Sequence, residues 1–294
     1  MAEYSNSAVV TGHELSEIRA LIEARSGILF DASRDRFFNT RVQEYVNEKR
    51  LSHGSDLLRI IKASNVEYDA LLARMLTQET SFFRYPDVFE AFQKRVLPEM
   101  HMKKFWENPR RLRIWSAGCS TGEEPYTIAM AIADTLEFID AWEIQILATD
   151  ISRSALQHAE HGVYARGSVE RLGPKVDTYF ERRGERYAVK PRLRNLVSFA
   201  PMNLAQPVYV GRFDCIFCMN VMIYFSEERR NALVQRFFDY LEPGGYLFLG
   251  HAETAAYANV KFKTITHGDS RIYQKPLDVP ISTSGTAAAG EVAR

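Results

Sequence analysis

Leu112–Tyr126, LRIWSAGCSTGEEPY, decides how this chain folds. LRIW is an apolar run of the length a buried strand needs, and Gly118 and Gly122 punctuate the loop that follows it. Beyond the loop Ile128, Ala129, Ile132 and Leu136 fall on one face of a helix opened by Pro125. A strand, a glycine loop and a helix in that order leave backbone N–H groups free to hold a ligand's anionic group. The loop lacks G-x-G-x-x-G spacing, so a dinucleotide is not specifically indicated.

Downstream, short apolar runs continue to alternate with amphipathic helices. The runs are EIQILAT (143–149), LVSFA (196–200), FDCIFC (213–218), YLFLG (246–250) and a closing pair around FKTIT (262–266) and RIYQK (271–275). The helices fall at about 124–137, 153–161 and 226–241, the last stopped by LEPGG (241–245). This is how a parallel sheet covered on both faces reads. Asp150 ends the second run, Asn203 follows the third and Asn220 the fourth, so polar groups collect at successive carboxyl ends. Ligands of such sheets lie in that crevice, and an acid after the second strand is where ribose hydroxyls are bound. Residues 163–195 interrupt the alternation; they are basic and turn-rich and predict a small antiparallel insertion.

Upstream the pattern is helical. Thr11 and Glu14 form a capping box, and Leu15, Ile18, Leu21 and Ile22 follow at helical spacing until Gly27. A second helix carries Phe37, Phe38, Val42, Tyr45 and Val46, with Arg34 and Arg41 on one face. Ser55 and Asn65 serve as N-caps of two more, the last burying Tyr68, Leu71, Leu72 and Met75. The expected division is a helical domain over 1–84, a linker helix over 85–110 and an α/β domain over 111–275. The small, polar stretch 276–294 is expected to be a disordered tail.

Composition narrows the partners. The 294 residues are 46% hydrophobic and 25% charged, with 37 basic and 37 acidic residues, so no net field draws in nucleic acid or an anionic membrane. No run approaches the ~18 apolar residues of a membrane span, and the N-terminus lacks a leader pattern, so a cytoplasmic protein is expected. Cys119, Cys215 and Cys218 are too few for a disulfide framework. Cys215 and Cys218, three apart on a strand, point to opposite faces and cannot share an ion. His158 and His161 have no third ligand in view, so no metal is expected.

Taken together, TSFFRYPDVFEAF (80–92), IWSAGCSTGEEPYTIAM (114–130), ILATDIS (146–152), FDCIFCMNVMIYF (213–225) and GGYLFLGHAE (244–253) resemble the CheR family of chemotaxis receptor glutamate methyltransferases. The resemblance runs from about residue 12 to 275. It implies a Rossmann-like methyltransferase fold with an N-terminal helical domain and a β insertion, using S-adenosyl-L-methionine and releasing S-adenosyl-L-homocysteine. The implied partners are the cytoplasmic helices of methyl-accepting receptors. Carried over by position, it puts Gln78, Thr80, Arg84, Gly118, Glu124, Asp150, Asn203, Leu204, Met219 and Asn220 at the cofactor. Glu124 and Asp150 would share its amino-acid and ribose parts, Asn203 and Leu204 its adenine, and Asn220 its methionine portion. Arg84 and Tyr224 would lie nearest the transferred methyl and the substrate carboxylate.

Two positions depart from the family pattern: Gln78 stands for a usual Asn, and Met219 for a usual Arg. They motivate the alternative of a binding protein that keeps the pocket without turnover. The insertion is compact, which suggests independence from a tethering receptor tail.

Overall fold

A computed structural model describes residues 10–76, 79–256 and 259–277. Helix α1 (Gly12–Ser26) starts at the expected capping box, with the Glu14 N–H donating to Thr11 Oγ1 at 3.3 Å and the Thr11 N–H to Glu14 Oε2 at 2.9 Å. Ser55 N–H also donates to Glu14, and the Thr11 and Ser55 donors hold that carboxyl down at about 2. Gly27 closes the helix at φ 81°. Helices α2 (Asp35–Glu48), α3 (Gly54–Ala63) and α4 (Asn65–Met75) complete the upstream region. Three details differ from the sequence reading. The N-caps are His53 and Ser64, not Ser55 and Asn65, because Ser64 Oγ accepts from Glu67 N–H while Asn65 Oδ1 takes Arg25. Arg34 ends a single 3-10 turn, Ala32–Arg34, ahead of α2 rather than riding on it.

The linker is helical from α5 (Pro86–Ala91) through a π turn (Phe92–Val96) to α6 (Leu97–Lys103). Then the alternation begins: β1 (Arg110–Ala117), α7 (Glu123–Thr135), β2 (Trp142–Asp150) and α8 (Arg153–His161). The insertion is strand only in part. β3 (Val163–Ala165), β4 (Phe180–Arg183) and β5 (Arg186–Val189) form an antiparallel sheet of order β3-β5-β4. Short helices α9 (Arg166–Val169), α10 (Lys175–Tyr179) and α11 (Pro191–Arg194) make up the rest. The chain returns through β6 (Val197–Pro201), β7 (Phe213–Cys218), α12 (Glu227–Tyr240), β8 (Leu241–Leu249), β9 (Lys263–His267) and β10 (Ser270–Gln274). LEPGG is the bulged first half of β8 rather than a turn outside it, because Gly244 N–H and Gly245 C=O both pair with Lys275.

The large sheet has the order β6-β2-β1-β7-β8-β10-β9. β6, β2, β1, β7 and β8 run parallel, while β10 is antiparallel to both neighbours. From β1 the chain steps outward to β2 and β6, then returns to β7 on β1's other side. The order therefore reverses between β1 and β7, which opens a crevice at their carboxyl ends.

Strand alternation sorts the core into two layers. Cys215 and Phe217 of β7 face Phe89, Phe92 and Ile128 of the linker helices and α7. Ile216 and Cys218 face Leu233 and Phe237 of α12 and, further out, the upstream helices. The two cysteines thus lie on opposite faces, buried and unbonded. Phe217 stacks on Phe248 at 4.1 Å, with Phe92 edge-on to both.

Candidate functional site

Above the crevice lies a cleft of about 290 Å³ whose walls come from four places: the α1–α2 connection, the 79–85 segment, the loops after β1 and β2, and those after β6 and β7. Thr80, Arg84, Gly118, Glu124, Asp150, Asn203, Leu204, Met219, Asn220 and Tyr224 all line it. Gln78 lies outside the described residues.

The 79–85 segment is shaped by its aromatic pair. Phe82 is buried edge-on against Tyr164 and Phe180 of the insertion, at 5.0 and 5.4 Å. Phe83 adopts φ 52°, donates its N–H to Thr127 Oγ1 and meets Phe89. With both rings turned inward, Thr80 and Arg84 are left at the cleft. Arg84 Nη1 donates to Glu79 C=O at 2.6 Å, fixing the fork across its own loop.

The loop after β1 contradicts one expectation. Gly118 and Cys119 N–H both donate to Thr149 C=O, Ser120 N–H to Asp150 Oδ2 at 2.8 Å, and Gly122 N–H to Cys119 C=O. These groups are consumed by β2 and by the loop itself and are not free for an anion. Helix α7 begins at Glu123, two residues before Pro125, with Gly122 as a left-handed N-cap. Its first turn carries Glu123 and Glu124, so the helix dipole is met by the chain's own acids.

Glu124 and Asp150 make the cleft receptive to a cation. Glu124 accepts from Ser116 Oγ at 2.6 Å and, among the described residues, makes no ion pair. Burial pushes its carboxyl up to about 7, against the pull of Ser116 and Arg84. Asp150 is also raised by burial, although Ser120 and Ser152 N–H each donate to it at 2.8 Å. Beside Asp150, Ser120 Oγ is buried with no partner among the described residues. An orphaned hydroxyl and two desolvated acids fit a ligand that brings hydroxyl groups and positive charge.

The opposite wall is set by Glu253. Its Oε2 accepts from Asn220 and Gly250 N–H, both at 2.8 Å, and its Oε1 from Met222 N–H at 2.7 Å. One carboxylate thus ties the end of β8 to the Met219–Tyr224 turn. Asn203 has both ends of its amide engaged, Nδ2 on Arg25 C=O and Oδ1 on Ala205 N–H.

Sequence reasoning missed Tyr85, Ser120 and Arg34. Arg34 lies over the Tyr224 ring at 4.6 Å. The other two stood beside residues that had been chosen. Arg34 gave no local signal, because only the tertiary approach of the α1–α2 connection brings it in. His158 packs on Tyr164, and His161 Nδ1 meets Gln157 C=O.

Residues 78–270 match the family described as CheR methyltransferase, SAM binding domain. The chain belongs to the CheR methyltransferase family. CheR relatives include the Vibrio parahaemolyticus chemotaxis protein methyltransferase, 35% identical over 273 residues that cover 90% of this chain and 98% of the relative. Chemotaxis protein methyltransferase 1 of Pseudomonas aeruginosa is 36% identical over 80% of this chain and 88% of its own. The Escherichia coli chemotaxis protein methyltransferase is 35% identical over 83% and 85%. The CheR match spans both sides of the crevice, from the 79–85 segment to β10. Among the described residues no helix is long and apolar enough to cross a membrane.

Proposed function

We propose that this protein transfers a methyl group from S-adenosylmethionine to glutamate side chains on the cytoplasmic helices of chemoreceptors, and that it works in the cytoplasm. The products are glutamate methyl esters and S-adenosylhomocysteine. The reading is carried by Glu124, a desolvated acid without an ion pair among the described residues, at the floor of a switch-point cleft in a chain of the CheR family. The bound cofactor supplies a methyl group on a positively charged sulfur.

The chain's own residues bind and orient. Glu124 receives the ammonium of the cofactor's amino-acid part, and Asp150 with Ser120 Oγ receives the ribose hydroxyls. Leu204 and Asn203 shape the adenine site, the Asn203 amide being oriented by Arg25 C=O at Nδ2 and by Ala205 N–H at Oδ1. Thr80, Gly118, Met219 and Asn220 surround the methionine portion. No general base is needed, because a glutamate with pKa near ~4.3 is ionised at neutral pH. Arg84 orients the carboxylate and Tyr224 adds a hydrogen bond, which is catalysis by alignment. The hold must stay loose, because attack consumes the carboxylate's charge and a tight ground-state clamp raises the barrier.

The test is transfer of radiolabelled methyl to receptor-bearing membranes, with the label released as methanol by mild alkali. Cofactor binding without base-labile label replaces this reading with that of a non-catalytic binding protein. Receptors lacking a C-terminal tail are expected to be methylated at the same rate as intact ones, and a large drop removes the tether-independence.

Glu124 also gives a pH signature. An ammonium beside it favours its ionised form, so S-adenosylhomocysteine binds about five- to tenfold tighter at about pH 8 than at about pH 6, by titration calorimetry. Glu124→Gln flattens that slope; an unchanged slope detaches the effect from this residue. In the free protein the sign is opposite. A carboxyl whose folded pKa exceeds its unfolded one stabilises the fold at low pH, and that contribution is lost as pH rises from about 4.5 through about 7.

A further inference from the structure

Tyr85 opens α5 and stands at the cleft wall beside Arg84, yet no step above uses it. Its hydroxyl donates to Asn220 Oδ1 at 2.6 Å, across 135 positions of sequence. Its ring lies against His251 at 4.4 Å, and His251 Nε2 is in turn within 3.1 Å of Ser270 Oγ. Asn220 sits at φ 62°, a left-handed conformation that asparagine tolerates better than most non-glycine residues. Glu253 anchors its backbone half by accepting the Asn220 N–H. Tyr85 supplies the other half by fixing the side-chain amide.

We infer that Tyr85 is a positioning residue for the cofactor's amino-acid end: by taking Asn220 Oδ1 it holds the amide so that the Nδ2 group is presented to the cleft as a donor. The inference rests on the methyltransferase reading above and adds to it a residue specific to one end of the ligand. An amide carries two donors on nitrogen and an acceptor on oxygen, and a free amide can present either face. Once the phenol donates to Oδ1 only the donor face remains, and among the described residues nothing else bonds to Nδ2. A carboxylate, such as that of the methionine portion, is the complementary group. His251 keeps the Tyr85 ring in place from behind, so the phenol is pre-set rather than recruited by the ligand.

The experiment compares two ligands on two backgrounds. S-Adenosylhomocysteine has the amino-acid end, whereas 5′-methylthioadenosine has the same nucleoside and thioether without it. Tyr85→Phe keeps the ring against His251 and removes only the hydroxyl. By titration calorimetry it is expected to weaken S-adenosylhomocysteine about three- to tenfold, the range of one modest hydrogen bond, and to leave methylthioadenosine unchanged. In an Asn220→Ala background the same substitution is expected to cost S-adenosylhomocysteine nothing further, since its effect passes through that amide. Equal weakening of both ligands, no weakening of S-adenosylhomocysteine, or full additivity with Asn220→Ala each overturns the inference. Wild-type protein that binds neither ligand overturns instead the cofactor reading on which the inference rests.

Discussion

Gly118→Ala is expected to lower the affinity for S-adenosylhomocysteine by about two orders of magnitude and to destabilise the fold by about 2–4 kcal/mol. Gly118 holds φ 90° at the end of β1, and a Cβ built there falls 2.3 Å from Val221 Cγ2 and 3.3 Å from Cγ1. The first fact strains any side chain; the second requires the Val221 side chain to give way on the other side of the crevice. Val221 lies between Asn220 and Tyr224 in the turn after β7, whose backbone is already tied by Glu253. The added methyl therefore crowds the turn after β7 that walls the site opposite β1. Calorimetric titration and thermal unfolding read the two effects separately. Wild-type affinity in this variant places the ligand somewhere other than the switch-point crevice.

Arg84→Ala is expected to reduce kcat for methyl transfer by about 10- to 150-fold, the range of one lost charge-assisted hydrogen bond, with a smaller change in cofactor affinity. Arg84 Nη1 is braced on Glu79 C=O, which leaves the rest of the fork to the cleft. Arg84→Lys keeps the charge but not the planar fork, so it should restore only part of the rate. Steady-state kinetics with receptor membranes separate kcat from the two KM values. An unchanged kcat assigns Arg84 to binding alone.

The sheet was legible because its strands carry their own evidence of period and length, and EIQILAT and FDCIFC run as strands where their apolar spacing places them. The positions of Gly118, Asp150 and Asn220 were legible for a second reason: a parallel sheet forces its ligand to the carboxyl ends, so strand ends are site candidates before any contact is known. Hydrogen-bond bookkeeping was not legible. The loop after β1 has the residues of an anion cradle, yet Thr149 and Asp150 of the neighbouring strand take its donors. The start of α4 failed on a finer scale, because Ser64 and Asn65 are both good caps and only tertiary pairing with Arg25 decides between them. Arg34 belongs to the same class, since no local pattern announces which distant turn a guanidinium will cover.

The join between the upstream helices and the sheet sets terms for any dissection of this molecule. Gly27, with an added Cβ only 2.2 Å from Ala205 Cβ, leaves the end of α1 no room beside the loop after β6. Arg229 grips Gly27 C=O, Asn203 grips Arg25 C=O, and Leu29 N–H donates to Tyr224 C=O. Ser26, Ile28 and Arg34 are thereby cleft wall as much as helix connection. A fragment that begins at residue 78 keeps every strand and still loses one side of its ligand chamber, while baring the apolar face that α1 covers. Weak cofactor binding by such a fragment reports the missing wall, not a defect in the nucleotide-binding half.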